Sequence, residues 1–134
     1  MEYLKNFSIF VESKKMKPNI KKVNEDDFLI LQGRDAESND YLTFISADPE
    51  DYWFHAKGYP GSHVVIKLNG KIPDSRLIYK AAEIAAKNSA AARANLEQVN
   101  VVYCKRKFVT KKSGMNAGQV VVDENNSEII KVKL

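Results

Sequence analysis

One cysteine, Cys104, in 134 residues leaves no partner for an internal disulfide and too few thiolates for a cysteine-rich zinc knuckle. The reducing, cytoplasmic interior of a cell is therefore the expected location. Histidine is almost as scarce, with only His55 and His63, and two imidazoles leave a tetrahedral metal site short of ligands. No metal or cofactor is expected. No apolar run approaches the roughly 20 residues of a membrane span, and the first residues have neither a basic start with an apolar stretch nor an Arg-rich amphipathic pattern, so no membrane partner is expected. Repeats, heptads and low-complexity segments are missing too.

What is present is the composition of a globular domain, 44% hydrophobic and 28% charged, in a chain long enough to close one core unaided. A single domain over 1–134 is the expectation, with an N-terminal strand and basic connector over 1–26. Lys and Arg number 21 against 17 Asp and Glu, a net charge of +4 that suits a polyanionic partner without demanding one.

Taken in order, Asn6–Glu12 alternates as a half-buried strand, and Lys14–Lys22 carries five lysines that read as a solvated connector or as an arm facing phosphates. Phe28–Gln32 is a buried strand ending at Gly33. The polar cluster Arg34–Asp40 leads into a short helix over Asp40–Ala47, capped by Ser38 or Asn39 and stopped by Pro49. Asp74 or Ser75 caps an Ala-rich helix running to Ala94, whose small residues let it lie close on a sheet. Arg93 at its end complements the helix dipole or meets a ligand. Gln98–Tyr103 is a β-branched strand, and Gln119–Asp123 with Glu128–Leu134 reads as a closing hairpin.

The stretch Asp51–Lys67, DYWFHAKGYPGSHVVIK, organises the rest. Two apolar runs, Tyr52–Ala56 and His63–Leu68, flank a turn rich in Gly and Pro, which predicts a hairpin. Alternation puts Phe54, Val64, Ile66 and Leu68 on one face and Trp53, His55, His63 and Lys67 on the other. Folding about Tyr59 sets His55 opposite His63, close enough to act on one ligand. The two imidazoles read either as a structural pair or as ligand contacts, and Trp53 either as core or as a stacking platform. Ser62 and His63 are neighbours on a strand and point apart, which argues against a Ser–His dyad. Lys105, Arg106, Lys107, Lys111 and Lys112 put five cations into eight residues. On a strand Lys105, Lys107 and Lys111 share a face, as a phosphate-tracking stripe or as a charged edge that resists aggregation.

Four stretches, GRDAESNDYLT, DYWFHAKGYPGSHVVIK, AAEIAAKNSAAAR and KFVTKKSGMNAGQVVV, occur in the order found in the RNA-binding domain of the NFACT proteins. Residues 27–134 resemble that domain, which forms the C-terminal part of RqcH-type ribosome quality-control factors, and the resemblance implies a version standing alone. The family's motif falls on Gly33, Arg34, Asn39, Asp40, Trp53, His55, Pro60, Gly61, Ser62, His63 and Arg93, and takes in Lys111 and Lys112. Asn116-Ala117-Gly118 departs from the family's usual Pro-Gly ending.

The resemblance implies an α+β RNA-binding module, non-catalytic, for tRNA or ribosomal RNA, with the large ribosomal subunit and an RNA-modifying enzyme as further partners. The expected architecture is a mostly antiparallel sheet covered by one long Ala-rich helix and one short helix. The expected interface joins Arg34, Asn39, Asp40, Ser62 and Arg93 to a solvent-open Trp53, His55 and His63 face, and runs on along Lys105, Lys107, Lys111 and Lys112. Two other classes stay open: a small RNA-processing enzyme using His55 and His63 as acid and base, and a protein-interaction module with incidental basic charge.

Overall fold

The computed structural model describes residues 17–134. The strand expected over Asn6–Glu12 and the start of the lysine-rich connector lie outside them. The remainder of that connector is not a free arm: β1 (Ile20–Glu25) pairs antiparallel with β2 (Phe28–Gly33), and the reversal runs through Asp26 and Asp27, both at positive φ. Asp is among the few residues that take this conformation cheaply, which is why two of them sit here.

The fold is α+β. Besides β1 and β2, the main sheet contains β3 (Tyr52–Ala56), β4 (Val64–Lys67), β5 (Gln98–Lys105) and β8 (Ser127–Lys133), antiparallel throughout in the order β1-β2-β4-β3-β5-β8. The expected hairpin forms, with Phe54 opposite Val64 and Trp53 opposite Val65. The expected closing hairpin does not. Its first half, Val121–Val122 (β7), pairs with Val109–Thr110 (β6), while β8 pairs with β5. A turn of 3-10 helix at Glu124–Asn126, begun by the Asp123 side chain accepting from the Asn125 amide, redirects the chain between the two sheets.

Both faces of the main sheet are covered. Phe54, Val64, Ile66 and Val101 pack under α2 (Ser75–Lys87), which buries Leu77, Ala81, Ala82, Ala85 and Ala86 against them. The alanines bring the helix backbone near the sheet, and Asp74 starts it by accepting from the Leu77 amide at 2.9 Å. On the other face Leu31, Trp53, Val65, Val102 and Cys104 are buried under Leu42, Phe44, Phe108 and Val120.

Two helices depart from expectation in ways that shape the site. The short helix α1 spans Ala36–Tyr41, with Asp35 rather than Ser38 or Asn39 at its N-cap, and continues as a π-helical turn over Leu42–Ser46. Asn39 is spared from capping because its side chain reaches another loop. The Ala-rich helix breaks at Asn88 and Ser89 and resumes as α3 (Ala90–Arg93). The break has a cause: the Pro60–Ser62 backbone lies alongside it, with the Ser62 amide donating to the Asn88 carbonyl at 3.1 Å and the Ala90 amide donating to the Pro60 carbonyl at 2.8 Å.

Candidate nucleic-acid interface

The β3–β4 connection, Lys57–His63, is held at its far end by backbone contact. A Cβ on Gly61 would lie 2.8 Å from the Ser89 Cα and 2.9 Å from the Asn88 carbonyl oxygen, distances that only glycine avoids. Asn39 secures the same end, accepting from the His63 amide at 3.0 Å and donating to the Gly61 carbonyl at 3.2 Å. A Cβ on Gly33 would overlap that Asn39 oxygen. Gln32 donates to the buried Ser62 hydroxyl at 3.1 Å. Asn39 and Ser62 therefore shape the loop.

Below the loop runs a directional chain of hydrogen bonds. Trp53 donates its indole N–H to Thr43 Oγ1 at 3.0 Å, and Thr43 lies 2.9 Å from His63 Nδ1. His63 Nε2 lies 3.1 Å from the Gly118 carbonyl, which only accepts, so Nε2 carries the proton and Nδ1 accepts from the Thr43 hydroxyl. Burial, with help from the neighbouring His55 and Lys111 charges, pushes His63 down to about 3 from its ordinary 6.5, although its bonds to Gly118 and Asn39 act in the opposite direction. The unfolded chain thus binds a proton that the folded chain refuses. This contribution to stability is complete above pH 6.5 and is lost as pH falls toward about 3, at up to about 1.4 kcal/mol per pH unit. Thermal melts should show a falling midpoint from about pH 7 to pH 5 that flattens in His63→Gln; a midpoint constant over that range contradicts the neutral assignment.

The solvent-open aromatic face expected from the sequence is corrected here. Trp53 is 0% exposed and His63 1% exposed, because α1, its π-helical continuation and the 108–122 segment cover this side of the sheet. Neither ring reaches solvent. Register does bring His55 and His63 together, with centroids 5.2 Å apart, but only His55 reaches the surface, half-buried and stacked on Trp53 at 5.9 Å.

The lysine stripe is corrected as well. A 3-10 turn over Arg106–Phe108 interrupts the strand, so Lys105, Lys107 and Lys111 do not share a face. Lys105 and Lys107 both grip Glu50, at 2.8 and 2.7 Å, and hold its carboxyl down at about 2. Arg106 turns inward to donate to the Thr43 carbonyl at 2.8 Å. Lys111 is 0% exposed, and its ammonium donates to both Asp40 oxygens at 3.0 and 2.8 Å and to the Asn116 carbonyl at 2.7 Å. Lys111 and Asp40 are thus a buried strut under the 112–119 loop, with Lys112 exposed beside it.

An open cleft of about 1560 Å³ is what these supports surround. Arg34 enters from the β2–α1 junction, Lys57 and Tyr59 from the β3–β4 connection, and Lys87 and Arg93 from the two sides of the helix break. All five are exposed, whereas His55, Gln32 and Val102 lie deeper. Among the described residues two carboxylates also border it, Glu124 and Asp35, the second spent on the N-cap of α1. Sequence reasoning placed Arg34, His55 and Arg93 among the site residues and missed Lys57, Tyr59 and Lys87. The Asn88-Ser89 pair inside the Ala-rich segment was the available signal, since both residues favour helix ends over helix interiors.

Residues 16–124 match the family described as NFACT protein RNA binding domain. The chain belongs to that family. This NFACT RNA-binding domain is 41% identical over 93 residues to the Rqc2 homolog RqcH of Streptococcus suis and 39% identical over 101 residues to the Rqc2 homolog RqcH of Bacillus subtilis. These matches cover 69% and 75% of the chain but only 17% of either relative. Among solved structures, the C-terminal part of the fibronectin/fibrinogen-binding protein from Streptococcus suis matches with a TM-score of 0.75 and 34% identity, over 87% of this chain and 45% of that one. Among the described residues no helix is long and apolar enough to cross a membrane.

Proposed function

We propose that this NFACT domain binds tRNA or ribosomal RNA at the cleft, in the cytoplasm, as part of translation quality control or RNA modification, and that it does so without catalysing a reaction. One observation carries the placement: Arg34, Lys57, Lys87 and Arg93, from three separate stretches of chain, converge on the rim of a single cleft. Cations so arranged neutralise phosphates and fix register on a polyanion. The RqcH relatives support the link to ribosome quality control, and we propose the large ribosomal subunit as the partner.

The absence of catalysis is supported by the state of His63, since both its ring nitrogens are already engaged with Thr43 and Gly118. An acid–base pair of imidazoles would need it free. Mixing purified protein with labelled RNA, with and without a chelator, should give retarded RNA of unchanged length, with affinity falling steeply as salt rises. Shortened RNA favours the enzyme instead, and the lack of any salt-dependent retention favours a protein-interaction module.

A further inference from the structure

The cleft divides chemically between rim and floor. Its rim carries the four exposed cations and Tyr59, 37% exposed on the β3–β4 connection. Its floor holds His55 beside Val102, with Trp53 sealed behind the His55 ring and no charge among these three. Burial lowers the affinity of His55 for a proton, so the imidazole is neutral at physiological pH and offers one donor and one acceptor.

Those two polar atoms have no hydrogen-bond partner among the described residues. Among those residues no side-chain nitrogen or oxygen is both buried and unpaired, so both nitrogens of this cleft-lining ring are accessible to solvent. The ring is nevertheless fixed in place. It stacks on Trp53 at 23° between planes and meets His63 edge-on at 5.2 Å, and its backbone pairs with Val102 of β5. Trp53 and His63 are themselves tied by the Thr43 chain, so the deep aromatic network presents one imidazole in one orientation.

A phosphate gains little from a neutral ring, and the rim already supplies cations for it. A ligand that suits both zones has a planar, hydrogen-bonding part and an anionic part, which describes a nucleotide. In a duplex the bases are paired and stacked inside, while an unpaired nucleotide can turn its base outward to be hydrogen-bonded and stacked by side chains.

We propose that the cleft takes one unpaired nucleotide of the RNA, its base set on His55 and its flanking phosphates on Arg34, Lys57, Lys87 and Arg93. This rests on the placement of RNA in the cleft. His63 is then a positioning residue that orients His55, and never touches the ligand. Because a neutral imidazole can present its donor on either nitrogen, the contact favours unpaired over paired nucleotides more than it favours one base over another.

Equilibrium binding of a single-stranded RNA of about ten nucleotides, alone and annealed to its complement, tests this on the full chain. The strand should bind about tenfold more tightly than the duplex, and His55→Phe should remove that advantage, the effect of deleting one hydrogen bond. His55→Phe keeps a flat ring on Trp53, so its melting midpoint should stay near that of the parent. His55→Gln, which restores a donor and an acceptor, should recover part of the advantage and gives a second reading if the Phe variant folds poorly. Equal affinity for strand and duplex in the parent, or an advantage undiminished in His55→Phe, overturns the nucleotide reading. It does so while leaving RNA in the cleft intact, provided that an Arg34→Ala, Arg93→Ala variant still weakens both. If the parent retains neither RNA, the underlying placement fails and this inference with it.

Discussion

Lys111→Met is expected to lower the unfolding free energy by about 3–5 kcal/mol, the cost of breaking a buried ion pair by removing one member. Lys111 and Asp40 are each 0% exposed and 2.8 Å apart, so the substitution removes an ammonium that meets both oxygens of a buried carboxylate. Met keeps the length of the stem but supplies none of the three donors, and the Asn116 carbonyl also loses its ammonium partner. Denaturant titration at neutral pH measures the loss directly. Replacing both members, Asp40→Leu with Lys111→Met, should recover much of the loss, because an ion pair replaced together by apolar side chains avoids the penalty of removing one charge alone. Lys112→Ala, one residue away and exposed, should move stability by less than about 0.5 kcal/mol. Equal effects at 111 and 112 would mean that both lysines face solvent, as the lysine-stripe expectation had it.

Removing Arg34 and Arg93 together should weaken RNA binding roughly a hundredfold, taking a hydrogen bond to a charged group as about 1.5 kcal/mol. Both side chains are exposed and their positions carry no buried packing, so the melting midpoint should hardly change. The slope of log affinity against log salt should fall in magnitude by about 0.7–0.9 for each phosphate that is no longer neutralised. The weakening should be similar across RNA sequences, since phosphate contacts position a chain without reading it. An effect confined to one sequence would assign these arginines to base edges.

The parts of this fold set by strict local periodicity were legible in the sequence. Alternation in YWFHA and HVVIK placed the hairpin and its register, and the alanines of α2 placed the helix on the sheet. What resisted reading depends on distant contacts. The helix break at Asn88 is stabilised by Pro60–Ser62, the lysine run is bent by a 3-10 turn and divided between Glu50 and Asp40, and β7 finds β6 in place of its neighbour β8.

The site shows the same division. Alternation placed Trp53, His55 and His63 on one face correctly, yet it carries no information about whether that face meets water. The fused helical turns over Leu42–Ser46 and the 108–122 segment decide that, and they close over Trp53 and His63 while leaving His55 at the cleft. Asn39, Asp40, Ser62 and Lys111 fall on the family's motif, and in this structure they build the loop and strut that hold the cleft's walls.

The most direct test of the cleft as the RNA site is a salt titration of RNA affinity run in parallel on the parent chain, an Arg34→Ala, Arg93→Ala variant and a Lys105→Ala, Lys107→Ala variant. With RNA in the cleft, the arginine variant loses affinity and its salt slope flattens, while the lysine variant, altered on the Glu50 side, follows the parent. A flattened slope in the lysine variant beside an unchanged one in the arginine variant would move the interface off the cleft.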